Sequence, residues 1–150
     1  MPTKRVIERA RADKRSGKSP STQAGEFVRE EIRKIRRGEH GARSPQQAIA
    51  IGLDEARRAG IDLPPPPKGR GKERTRRSAK RSYEVGQGRR KAKRRPKASR
   101  TAKRVLKREP TSTVSHEELS KQARRAAARR SRPSRSAAAR KAARTRRRQG

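Results

Sequence analysis

At Pro64–Pro67 the chain changes character, and that change limits what it can fold into. The stretch "LPPPPKGRGK" cannot continue a helix and favours a stiff, extended spacer. Ahead of it, residues 1–67 carry 15 Lys+Arg and 9 Asp+Glu, a net charge of +6. Behind it, residues 68–150 carry 33 and 5, a net of +28. Hydrophobic residues make up only 26% of the chain, with one Phe, one Tyr and no Trp. Such a composition buries too little apolar surface to offset the entropy of ordering the backbone. The expected fold class is a small all-α N-terminal module of two to three short helices, followed by a largely disordered basic tail. We place the helical module at 1–63, a Pro/Gly linker at 64–71 and the Lys/Arg/Ala-rich tail at 72–150.

The first half carries the helical grammar. Residues 4–15 put Val6, Ile7 and Ala10 on one side, a short and weak signal. In "SPSTQAGEFVREEIRKIRRG", Ser19 takes the N-cap position, Pro20 the first helical position and Gly38 the stop. Its residues Ala24, Phe27, Val28, Ile32 and Ile35 follow one helical face. Acids lie early and bases late, complementing the helix dipole. "SPQQAIAIGLDEARRAG" repeats the pattern: Ser44 caps, Gln47 completes a capping box, and Gly60 closes. Ile51 lies off the face of Ala48, Ile49, Leu53 and Ala56, so this helix is expected to touch more than one neighbour. The expected module core is Phe27, Val28, Ile32, Ile35, Ile49 and Leu53. So few large apolar side chains predict a module that needs a partner surface, self-association or nucleic acid to become rigid.

The tail alternates basic clusters with Ala, Ser, Pro and Gly, and so many consecutive clusters with so few acids point to a polyanion. The expected nucleic-acid-binding residues are Arg76, Arg77, Lys80, Arg81, Arg89, Arg90, Lys91, Lys93, Arg94, Arg95 and Lys97 in its first part. Further along they are Arg124, Arg125, Arg129, Arg130, Arg146, Arg147 and Arg148. Ser115 and Glu118 form a second capping box, which predicts one tail helix over 116–131, ended by Pro133. Arg43, Arg57 and Arg58 at the ends of the third helix are further phosphate-contact candidates.

Several chemistries find no support. There is no Cys, hence no disulfide, thiolate metal site or cysteine nucleophile. His40 and His116 read as solvent-exposed helix-terminal residues, and no metal site, cofactor or catalytic constellation is expected. "GRG" at 69–71 and "GQG" at 86–88 lack the strand–loop–helix context of a phosphate loop and read as flexible linkers. Tyr83, the tail's one aromatic, offers a single stacking ring, too little for a single-strand binder. No zinc-finger, helix-turn-helix or basic-zipper pattern appears. No apolar run of ~18 residues is present, and the start "MPTKRVIERARADKR" carries Glu8 and Asp13, unlike a transit peptide.

"GKSPSTQAGEFVREEI", "HGARSPQQAIAIGLDEARRAG" and the proline run resemble a family of small, basic bacterial proteins of unknown function, over Met1 to about Lys68. The resemblance implies a bacterial source and carries no catalytic residues. The tail is similar in composition to those of bacterial linker-histone-like proteins. Together these readings predict a non-enzymatic, histone-like protein that binds and compacts duplex DNA with weak sequence selectivity. Its expected location is cytoplasmic and nucleoid-associated, with docking or self-association through residues 1–63. The alternatives are an RNA-binding or ribosome-associated protein, and a protein-binding adaptor tethered to nucleic acid.

Overall fold

A computed structural model describes residues 2–149. They form seven α-helices: α1 (Lys4–Arg15), α2 (Pro20–Arg36), α3 (Pro45–Arg58), α4 (Glu73–Gly86), α5 (Pro96–Arg108), α6 (His116–Ala128) and α7 (Arg132–Gln149). A single 3-10 turn, Ser112–Val114, lies between α5 and α6. The chain divides into two compact units, Met1–Ser115 and His116–Gly150. The expectation of a short module with a disordered tail is therefore corrected: helices occupy most of 72–150, and the first unit runs 48 residues past position 67.

The first three helices use the expected punctuation. Ser44 Oγ accepts the amide of Gln47 at 3.2 Å, and Gln47 Oε1 accepts the amide of Arg43 at 2.7 Å. The capping box thus closes one residue ahead of the N-cap. Ser19 sits at the N-cap of α2 but makes no side-chain cap bond; its hydroxyl pairs instead with those of Ser21 and Thr22. At the end of α3, Gly60 adopts φ +90°, its amide bonds to Arg57 and the Ile61 amide reaches back to Ala56. This is the Schellman arrangement, which favours glycine because a Cβ is strained at positive φ. The α1, α2 and α4 helices end with the same pair of bonds.

The core is built largely from alanine. One cluster joins Val6, Ala10, Ala24, Phe27 and Ala56, with Ile7, Leu53, Ile61 and Leu63 packed on it. The other joins Ile35, Ala42, Ala48 and Val114, with Ile32 alongside. Phe27 and Ile35 are buried, while Val28, Ile32, Ile49 and Leu53 are half-buried. Gly52 explains how short side chains suffice. A Cβ there would come within 2.6 Å of Val28 Cα, so α2 and α3 approach backbone to backbone.

The missing cover for this module comes from its own tail. Helix α4 packs on α3 across the polyproline segment. Ala79 and Ser82 are buried in that seam, and a Cβ on Gly86 would strike the Arg57 carbonyl. "GQG" at 86–88 is therefore no flexible linker: Gly86 is the contact point and Gly88, at φ +70°, is the helix stop. Positions 79, 82, 83 and 86 follow i, i+3, i+4 and i+7, one helical face on which small Ala79, Ser82 and Gly86 accompany Tyr83. The second docking site is the segment after α5. Gly41 donates to Leu106 O at 2.8 Å, Ala42 to Pro110 O at 3.0 Å, and Thr113 Oγ1 to Ala42 O at 2.8 Å. Val114 is fully buried against Ile35, and Arg36 donates twice to its carbonyl, at 3.1 and 3.0 Å.

In the second unit, α6 has Glu117 and Glu118 in its first turn, both paired with Lys121 at 2.7 and 3.0 Å. It covers His116–Ala128 of the helix expected over 116–131. The α7 helix begins at Arg132 with Pro133 in its first turn, where a missing amide costs nothing. Pro133 thus opens a helix that composition did not predict.

Candidate functional site

The densest charge lies between the two docking points of the first unit. Residues 89–108 contain twelve basic side chains and no acid, and all of them are exposed. The α4 end of this strap is fixed at Gly86 and its far end at Leu106–Val114, so the cations are presented on a tethered loop. The α5 helix within it buries no residue, and Val105 is 52% exposed.

Where the strap leaves α4, the two line a half-open cavity of about 380 Å³. Ser78, Arg81, Ser82 and Val85 supply one wall, at i, i+3, i+4 and i+7 on a single helical face. Arg58 at the end of α3 and Arg90, Lys91, Lys93 and Arg95 of the strap supply the rest. Asp54 ties two of the lining residues together, accepting from Arg58 Nε at 2.8 Å and from the Ser82 hydroxyl. Glu84 lies 3.4 Å from Arg90. Among the described residues, no carboxylate lies within ion-pair distance of Arg81, Lys91, Lys93 or Arg95, so the cavity carries uncompensated positive charge.

The predicted binding residues therefore fall into distinct settings. Arg81, Arg90, Lys91, Lys93 and Arg95 converge on this cavity, while Arg89, Arg94 and Lys97 are exposed on the strap around it. Arg76 and Arg77 pair with Glu73 at 2.9 and 3.5 Å, and Lys80 with Glu84 at 3.7 Å. The Arg76 bonds hold the Glu73 carboxyl below its usual range. Arg124, Arg125, Arg129 and Arg130 are exposed in and just after α6, and Arg146, Arg147 and Arg148 are exposed in α7. Arg58 lines the cavity, whereas sequence spacing alone gave no reason to group it with the tail.

Three other assignments change. Arg57 is only 8% exposed; its Nε donates to Leu63 O at 3.1 Å, and burial lowers its pKa. It is a structural cation that holds the chain after α3, out of reach of phosphates. Tyr83 is half-buried and its hydroxyl donates to Asp62 at 2.6 Å, so its ring is committed to the fold. His40 is no solvent-exposed terminal residue. Its Nε2 lies 3.2 Å from Glu31 Oε1, and Glu31 itself is 1% exposed.

Glu31 is the least expected group in the core. Its Oε2 lies 3.6 Å from Lys34 Nζ, which also reaches Glu55 at 3.4 Å, while Oε1 has the His40 ring beside it at 3.2 Å but accepts no hydrogen bond. Burial raises its pKa despite the opposing charges of His40 and Lys34. The cluster links α2 to α3 and to the connector between them through Lys34, Glu55 and His40; the described residues contain no group of three or more His, Cys, Asp or Glu that could hold a metal ion. Nor is any helix among them long and apolar enough to cross a membrane.

No curated protein and no solved structure matches the chain. Residues 11–68 match the model of a family of unknown function (DUF6496), so the chain is similar to that family from within α1 through α3 and the proline run.

Proposed function

We propose that the chain binds duplex DNA by neutralising backbone phosphates, with weak sequence selectivity, and that it associates with the nucleoid. The observation that supports this reading is the strap at 89–108: twelve exposed cations without an acid, tethered at both ends to a folded module. Each phosphate neutralised releases condensed counterions, and that entropy gain needs no base contact. Small residues between the cations leave the backbone close to the ligand, and one committed tyrosine leaves no stacking platform for single strands. The α7 helix, with basic residues throughout and no acid, adds a second cationic element. Tethering reduces the conformational freedom lost when the strap meets a phosphate row, relative to a free tail.

The test is retardation of a short duplex by the full chain as salt rises from about 50 to about 200 mM. The expected log–log slope is steeper than about −5, the signature of six or more phosphate contacts. A flat salt response rejects the reading. Structured RNA that displaces the duplex more effectively than unlabelled duplex moves the function to RNA.

A further inference from the structure

We propose that the cavity between α4 and the strap is a binding site for condensed phosphate: a short, linear chain of phosphoryl groups recognised without a base. The inference concerns a different ligand from duplex DNA and stands independently of that reading.

The size of the cavity sets the class of ligand. At about 380 Å³ it falls at the lower end of the range of roughly 300–1,000 Å³ that encloses small molecules. A duplex presents its phosphates on a convex cylinder and cannot enter such a concavity. Charge sets the chemistry. Arg81, Lys91, Lys93 and Arg95 face the space with no carboxylate within ion-pair distance among the described residues. Arg58 and Arg90 add two cations that remain only partly compensated by Asp54 and Glu84. Like charges gathered around one concavity repel, and an anion spanning them removes that repulsion. Each phosphoryl unit added to orthophosphate brings another charge and another set of acceptor oxygens to the cations of the two walls. The arginines supply planar donor forks suited to those oxygens, and the lysines supply point charges.

The lining also states what is not recognised. It holds no aromatic ring, and the tyrosine and phenylalanine of the chain are both engaged elsewhere. Nothing is placed to stack on a base. Ser78 has an exposed hydroxyl on the helical wall, while the Ser82 hydroxyl is spent on Asp54 and offers its oxygen only as an acceptor. The wall on α4 is rigid because Ala79 and Gly86 lock that helix to α3.

The experiment titrates the full chain with inorganic triphosphate, orthophosphate and a nucleoside triphosphate at matched ionic strength, by calorimetry. Two paired variants remove lining cations: R81A/K93A, one from each wall, and K91A/R95A, both from the strap at positions outside any helix. A third, K141A/R144A, removes the same charge from exposed positions of α7. The expected result is one saturable triphosphate site, at least about tenfold tighter than for orthophosphate. Each cavity variant weakens it at least about tenfold, the α7 variant does not, and the nucleoside adds no affinity. Absence of a saturable site, a smaller loss in either cavity variant, an equal loss in the α7 variant, or tenfold tighter binding of the nucleotide overturns the proposal. Duplex retardation by the same proteins, measured in parallel, reports separately on DNA binding.

Discussion

The amide of Gly41 donates to the carbonyl of Leu106 at 2.8 Å, joining the connector before α3 to the last turn of α5. That bond converts the most cationic part of the chain from a tail into a strap. Gly41 is required there because any Cβ would strike the carbonyl of Glu109. The collision is with backbone, so no side-chain rotation relieves it.

Substitution Gly41→Ala is therefore expected to undock residues 106–114. The loss is bounded by what the docking contributes, chiefly Val114 burial and the hydrogen bonds around it, about 2–4 kcal/mol. Chemical unfolding measures the loss, and limited proteolysis should show faster cleavage within 89–115. Unchanged stability together with unchanged cleavage contradicts the docking.

Val114→Ala probes the same interface without touching the backbone. Val114 is fully buried against Ile35, Ala42 and Ala48, so trimming it leaves a small cavity. A loss of about 1–3 kcal/mol is expected on unfolding. Because the strap's cations are untouched, the salt slope of duplex binding should stay as in the parent.

Adjacent arginines at 57 and 58 are expected to behave differently. Arg57→Ala removes a buried donor to Leu63 O and should destabilise the fold by about 1–3 kcal/mol, leaving the salt slope unchanged. Arg58→Ala removes an exposed partner of Asp54 and should alter stability by less than about 1 kcal/mol. Thermal melts and duplex retardation of both variants check this pair; equal losses of stability contradict it.

Glu31 gives a pH dependence of defined sign. Burial raises its folded-state pKa above the ordinary 4.5, so the native state binds this proton more tightly than the unfolded chain. The stability it contributes is complete below the ordinary value and is lost as pH rises through the raised one. His40, Lys34 and Glu55 face the same carboxyl and set how far that window extends. Glu31→Gln mimics the protonated form. The melting temperature of this variant minus that of the parent should increase from about pH 4.5 to about pH 7. A constant difference contradicts the assignment.

Charge removal on the strap tests the proposed function directly. Changing Arg94, Lys97, Arg100 and Arg104 to Ala should reduce the magnitude of the salt slope by up to about 0.9 per residue. All four are exposed and make no ion pair among the described residues, so stability should change little.

By itself the sequence determined the local rules. Ser44, Pro45 and Gly60 bound α3, and Pro20 and Gly38 bound α2, because caps and Schellman stops depend only on neighbouring residues. Phe27 and Ile35 could be named as core from helical spacing. The total charge and its division at the prolines were equally legible. What composition misjudged was the tail, because a count of large apolar residues overlooks a seam made of Ala79, Ser82 and Gly86. Small side chains bury little area each but admit close backbone approach, and the value of that approach depends on a complementary surface elsewhere. The same holds for Val114, an ordinary valine in a polar stretch until Ile35 and Ala48 surround it. Only the tertiary structure decided that α4 and residues 106–114 complete the module. It also decided that Arg58 and Arg81 share one cavity with Lys93, because no local pattern encodes a contact between distant segments.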